Sequence, residues 1–141
     1  MINTPYPKDI VLAMLENDHF SNWLNLELTA ISKGNCTLSM KVTNTMLNGF
    51  HIAHGGICYS LADSCLAFAA NSYGFICFSI DTSIKHLIKV NEGDFLIAKS
   101  KETLLTKKNA KYEISIENQL NELVAVFKGE VHISKKKWVL D

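Results

Sequence analysis

The sequence contains little that would interrupt a fold. Two prolines and seven glycines in 141 residues leave few places for a flexible boundary, and a chain of this length is the ordinary size of one domain. Residues 1–141 are therefore read as a single domain. Neither sign of charge is in excess: 14 Lys+Arg face 14 Asp+Glu, a formal net charge of 0. Without a basic surplus to displace counterions from phosphates, nucleic acid is not expected as a partner. The same balance gives little electrostatic protection against self-association. No apolar run approaches the ~20 residues of a membrane span. The closest, 57–70, is interrupted by Ser60, Asp63 and Ser64, so no membrane association is expected. The first residues carry no basic leader, and the apolar stretch 10–15 is followed at once by Glu16 and Asp18, unlike a secretory signal. Cys36, Cys58, Cys65 and Cys77 form no Cys-x-x-Cys pair, which reads as reduced thiols in a cytoplasmic protein. Gly-x-Ser-x-Gly is missing too, so a serine-hydrolase elbow is not expected.

What is present is apolar and patterned. Hydrophobic residues make up 48% of the chain and charged residues 20%, enough for a buried core without staples or metals. Pro5 and Pro7 are expected to precede a short helix over 9–16, ended by Asn17-Asp18 and followed by another turn over 20–24. Leu26, Leu28 and Ala30 alternate with polar neighbours. Lys33-Gly34-Asn35 then turns the chain into Cys36, Leu38, Met40 and Val42, a period-two hairpin. After a loop over 44–54, residues 55–73 read as a helix apolar on nearly every side, which predicts burial. Strand patterns follow over 75–88, 94–105, 111–118 and 122–133, with Asn91-Glu92-Gly93 and 118–121 as turns. Lys107-Lys108 and Lys135-Lys136-Lys137 read as solvated, the latter as a tail, although either run is able to meet a phosphate group. One buried helix with about five or six mostly antiparallel strands makes an α+β layer in which the sheet wraps the helix. A single sheet leaves one helix face bare, which points to a second copy.

Asp63 is the anomaly of that helix. Among Leu61, Ala62, Cys65 and Leu66 an ionised carboxylate is costly unless paired, so it is either a structural acid bonded locally or a functional one. His54-Gly55-Gly56 opens the same helix. Glycines there let a ligand approach unpaired N–H groups at the positive end of the helix dipole, an arrangement suited to a developing oxyanion. A plain loop-to-helix turn would use the same residues. Asp63 lies eight residues beyond Gly55, about 12 Å along the axis, so the two cannot act on one carbonyl within one chain. Their cooperation requires a site shared between subunits. Asn17 is placed as a C-cap. His51 and His54 lack the further ligands a metal needs, and Cys58 and Cys65 read as small core hydrophobes. Tyr59, Phe68, Phe75 and Phe78 suit an aromatic pocket or ordinary core equally.

The string Met46-Leu47-Asn48-Gly49, His54-Gly55-Gly56, Ser60-Leu61-Ala62-Asp63, Ala67-Phe68-Ala69, Asn71-Ser72 and Gly74 resembles the hotdog-fold acyl-CoA thioesterases of the PaaI type. The likeness continues at Leu15-Glu16-Asn17-Asp18, at Gly93-Asp94 and over 126–130. It implies hydrolysis of an acyl-CoA (aryl-acetyl or medium-chain) to free acid and coenzyme A, the latter being part of the substrate and not a cofactor. By that resemblance Asp63 is general base or nucleophile, Gly55 the amide donor to the thioester carbonyl, and Gly56 its support. Asn17 orients water or carbonyl, and His54 holds the loop. Asn48, Ser64, Tyr59 and Phe68 then belong to the substrate side, and a homodimer or homotetramer with interfacial sites is implied. One segment departs from the pattern. Where the family often carries an aromatic-Leu-Arg-Pro-Gly run, this chain has His86-Leu87-Ile88-Lys89-Val90, leaving Lys85 or Lys89 to meet the coenzyme's phosphates as point charges. The alternatives are an acyl-thioester hydratase or dehydratase with His54 as base and Asp63 as acid, and a non-catalytic acyl-CoA-binding protein.

Overall fold

The computed structural model describes residues 3–141. Helix α1 spans Pro7–Asn17, beginning on a proline whose missing N–H costs nothing in the first turn. Pro7 thus starts the helix instead of preceding it. The short helix α2, His19–Trp23, is capped by Asp18, which accepts from the Ser21 amide. Strands β1 (Glu27–Ser32) and β2 (Asn35–Lys41) form the expected hairpin, with Gly34 at φ +75° in its turn. Its first arm departs from simple alternation: a bulge between Leu28 and Ala30 leaves Ala30 exposed and turns Ile31 inward instead.

After a 3₁₀ turn at Asn44–Met46, helix α3 runs Gly55–Asn71, followed by β3 (Phe75–His86), β4 (Phe95–Leu105), β5 (Asn109–Glu117) and β6 (Leu123–Lys137). All six strands pair antiparallel in the order β1-β2-β4-β5-β6-β3. The sheet wraps α3 in the hotdog arrangement. None of the helices among the described residues is long and apolar enough to cross a membrane.

Three of the boundaries that differ from expectation do so through a long-range contact. The helix stops at Asn71, two residues early, because that buried amide is claimed from several sides. It donates to the Ala67 and Cys77 carbonyls and accepts from the Cys77 amide and the Trp138 indole, all within 2.8–3.1 Å. Strand β3 ends at His86, where the Leu87 and Ile88 amides both turn to the Val124 carbonyl. Lys135 to Lys137 are not a tail: β6 continues through them, and Lys137 pairs opposite Phe75.

The core lies between α3 and the concave face of the sheet. Ile57, Leu61, Cys65, Leu66 and Phe68 of the helix pack with Leu38, Leu96, Ile114 and Phe127 of the strands. Gly129 of β6 lies beneath Leu66; a Cβ there would come 2.5 Å from Leu66 Cδ2 and 3.2 Å from Phe127 Cε1. Gly129→Val is expected to destabilise the fold by about 1–3 kcal/mol through overpacking, read as a lower urea midpoint at unchanged slope.

Two surfaces remain uncovered. Gly56, Ser60, Asp63 and Ala67 recur every three or four residues along α3 and form a half-buried stripe outside the core. The twelve-residue strand β3 is a sheet edge carrying Phe78 and Ile80, each 55% exposed, a template for pairing with another strand.

Candidate active site

The loop before α3 is held by its own backbone and by one side chain. The Asn48 amide donates to the Ile52 carbonyl at 2.8 Å, and Asn48 Oδ1 accepts from the Phe50 amide at 2.9 Å. The Ala53 amide donates to the Val90 carbonyl at 2.8 Å, and the His54 amide to Met46 at 2.9 Å. The loop is thus tied to the His86–Val90 segment on one side and to the 3₁₀ turn on the other.

His54 is the N-cap of α3. Its Nδ1 accepts from the Gly56 amide at 2.9 Å, and its carbonyl accepts from Ile57. An Nδ1 that accepts leaves the neutral ring's hydrogen on Nε2. Gly56 is needed for this cap, because a Cβ there would approach His54 Nδ1 to 3.1 Å. The Gly55 amide hydrogen is left without a partner among the described residues. It stands at the helix start, where orphan donors and the macrodipole both favour a negative oxygen.

Gly55 lines a cavity of about 320 Å³ together with Asn48, Ile52, Ala53, His54, Cys58 and 86–90. The fold therefore brings Asn48, His54, Gly55 and Lys89 to one place. It also brings His86, which sequence reasoning passed over as a site residue. The His86 imidazole lies close enough to Gly55 that a Cβ on the glycine would sit 3.5 Å from Nε2. Its only signal in the sequence was its position at the start of the departing segment. Cys58 shares the cavity, but burial pushes its thiol up to about 11, so it is no nucleophile at neutral pH.

The remaining candidates lie elsewhere. Asp63 is two turns further along α3, on the uncovered stripe. Burial pushes its carboxyl above the ordinary value of 3.8, with no offsetting hydrogen bond or positive charge among the described residues. Asn17 is exposed at the end of α1, its amide reaching only the Ala13 carbonyl at 3.5 Å. Ser64 bonds Ser21. The Tyr59 hydroxyl bonds Thr82, with its ring edge-on to Phe127. Phe68 is 1% exposed and belongs to the core, and Lys85 projects from β3 outside the cavity. Among the described residues no group of three or more His, Cys, Asp or Glu side chains is placed to hold a metal.

Ser21 is a second residue that no local pattern singles out. It is 1% exposed; its hydroxyl donates to Asp18 Oδ2 at 2.6 Å and meets the Ser64 hydroxyl at 2.9 Å. The corner between α1 and α2, which carries Asn17, is thereby fastened to α3 one residue from Asp63. Ser21→Ala is expected to cost about 1.5–3 kcal/mol, since a charged acceptor loses its donor and a hydroxyl its partner. Urea unfolding of the variant measures this directly.

Comparisons with known proteins bear on the same site. A putative esterase of Archaeoglobus fulgidus is 35% identical over 119 residues, which is 84% of this chain and 77% of that one. The acyl-coenzyme A thioesterase PaaI of Escherichia coli is 36% identical over 120 residues, 85% of this chain and 86% of that one. The solved structure of the E. coli PaaI protein, from the phenylacetic acid degradation operon, superposes with a TM-score of 0.90 at 33% identity. The superposition covers 93% of this chain and 95% of that one. The thioesterase superfamily matches residues 50–125, which take in the end of the loop, the whole of α3 and the cavity segment 86–90. On these matches the chain belongs to the thioesterase superfamily, the hydrolases of thioester bonds.

Proposed function

We propose that this protein hydrolyses acyl-CoA thioesters, releasing the free acid and coenzyme A, in a site completed by a second copy of the chain. The observation that carries the reading is the placement of Asp63: half-buried, unpartnered, on the bare stripe of α3, and about 12 Å along that helix from the free Gly55 amide. An acid and an oxyanion donor so separated act together only across an interface. The bare stripe and the β3 edge with Phe78 and Ile80 supply surfaces for one, and a homodimer or a homotetramer satisfies the requirement.

In this reading the thioester carbonyl oxygen receives the Gly55 N–H. The Gly56 amide is spent on His54, so its contribution is to keep the cap tight. Asp63 of the facing copy takes a proton from the water that attacks the carbonyl carbon, or attacks that carbon itself to form a mixed anhydride that water then hydrolyses to the free acid. The carbon–sulfur bond breaks from the tetrahedral intermediate, and the departing thiolate takes up a proton to become the coenzyme's thiol. The amide contributes roughly 10²–10³ in rate and the carboxylate, as base, roughly 10²–10⁴. Asn17 orients the water or carbonyl from the fastened α1–α2 corner. Asn48 keeps the loop in shape, and Lys89, with Lys85 further out, faces the coenzyme's phosphates. Ser64, Tyr59 and Phe68 serve the site by packing and hydrogen bonding around it. The acyl group is aryl-acetyl or medium-chain. The comparison with the E. coli acyl-coenzyme A thioesterase supports the substrate class. The His54 Nδ1 is occupied by the Gly56 amide, which weighs against His54 as the base of a hydratase.

Thiol release measured across a panel of acyl-CoAs tests this reading. Hydrolysis of at least one aryl-acetyl or medium-chain ester is expected. Hydration of an enoyl-CoA with no thiol released, or tight binding without turnover over hours, would overturn it.

A further inference from the structure

Two lysine runs have no part in the function above, Lys107-Lys108 and Lys135 to Lys137. The fold brings them together. Asn109 pairs opposite His132 at the β5–β6 end, and the Ile133 amide donates to the Lys108 carbonyl at 2.7 Å. Beside them opens a cavity of about 640 Å³ at the C-terminal end of α3, twice the volume of the one at Gly55. The two lie at opposite ends of a seventeen-residue helix, about 25 Å apart along its axis. The volume is within the roughly 300–1,000 Å³ of small-molecule sites.

The walls are mainly apolar, from Ala70, Phe75, Leu105, Ala110, Tyr112 and Ile133. Exposed Lys107, Lys108 and Lys135 line the opening, and neither Asp nor Glu is among the lining residues. The thiol and the phenols of the lining stay neutral. Burial pushes the Cys77 thiol up to about 11, and burial with the Glu102 hydrogen bond pushes Tyr73 up to about 12 and Tyr112 upward as well. His132 is packed against the Phe78 ring. Glu102 stands behind the wall and accepts from the Tyr73 and Tyr112 hydroxyls at 2.9 and 2.8 Å, so the phenols offer a ligand no free donor. What remains is a greasy cleft lined by three lysines and no acid, with Lys137 Nζ also 5.8 Å from the centre of the Phe75 ring.

We propose that this cavity binds a free carboxylic acid of medium aliphatic chain, its tail along the apolar wall and its carboxylate against Lys107, Lys108 and Lys135. The complement is one of charge as well as shape: an apolar tail removes the walls from water, and a single anionic head answers lysines that no acid of the lining neutralises. The assignment rests on no part of the catalytic reading.

Calorimetric titration of the full chain with decanoate, below its micelle concentration, tests it. One saturable site per chain is expected. Decanol, of equal length without the charge, is expected to bind roughly tenfold more weakly, as is decanoate to the Lys107→Gln/Lys108→Gln/Lys135→Gln variant, three partly solvated ion pairs being worth about that much. These are surface substitutions, so folding is not at stake. A second readout is thiol labelling of Cys77, the only cysteine of the four not buried, which decanoate is expected to slow. Equal binding of decanol, indifference to the lysine substitutions, or unprotected Cys77 would overturn the proposal. So would displacement of decanoate by free coenzyme A, which would assign the lysines to phosphate instead.

Discussion

Asp63→Asn is expected to lower kcat by about 10²–10⁴, the contribution of a positioned proton acceptor, while KM changes little because the amide fills the same space. The same substitution is expected to stabilise the chain at neutral pH. Folding raises the Asp63 carboxyl above its ordinary 3.8 through burial alone, so the folded state holds that proton more tightly than the unfolded one. The group therefore favours folding most below pH 3.8, and that advantage is lost as pH rises through the elevated folded value. An uncharged amide carries no such loss. A variant that melts higher at pH 7 yet turns over slowly is the signature of an acid kept for chemistry at a cost in stability. The same upward shift sets the acidic limb of the wild-type rate profile, which should rise with pH through a value above 3.8. Full turnover in Asp63→Asn would remove the acid from the mechanism.

Gly55→Pro is the second expected large effect, a fall in kcat of about 10²–10³ from deletion of one oxyanion donor. Proline is suited to this position. Gly55 is the first residue of α3, and His54 before it has φ −58° and ψ 140°, the extended conformation that a residue preceding proline prefers. The missing N–H breaks no bond of the helix, because that hydrogen has no partner there. Gly55→Ala is the control: it keeps the donor, and its Cβ meets His86 Nε2 at an ordinary 3.5 Å. The alanine variant should keep most of the activity and the proline variant almost none, with both melting near the wild type.

Local periodicity made most of this architecture legible. The alternation from Cys36 to Val42 gave β2 correctly, and the nearly continuous apolar pattern after Gly55 gave a buried α3, because each signal depends on neighbours a few residues apart. What escaped notice depends on residues far apart. Lys135 to Lys137 look like a solvated tail until Phe75 is seen to pair across from them. Asn71 stops the helix through Cys77 and Trp138, which no helical window contains. In the site, Asp63 and Gly55 stood out through burial cost and helix-end chemistry, and their spacing along one helix forced the inference of a shared site. Ser21 and His86 did not stand out. Each takes its place from a contact made only in the folded chain, with Ser64 in one case and beside Gly55 in the other.

The central claim, that one copy supplies the acid and another the amide, is tested by mixing Asp63→Asn and Gly55→Pro chains and letting them exchange or refold together. Random pairing makes half of the dimers mixed, and each of those has one of its two sites intact. The mixture of two inactive parents should therefore recover about a quarter of wild-type turnover. Activity no higher than the average of the separate parents, in a sample where mixed assemblies are demonstrably present, would contradict it.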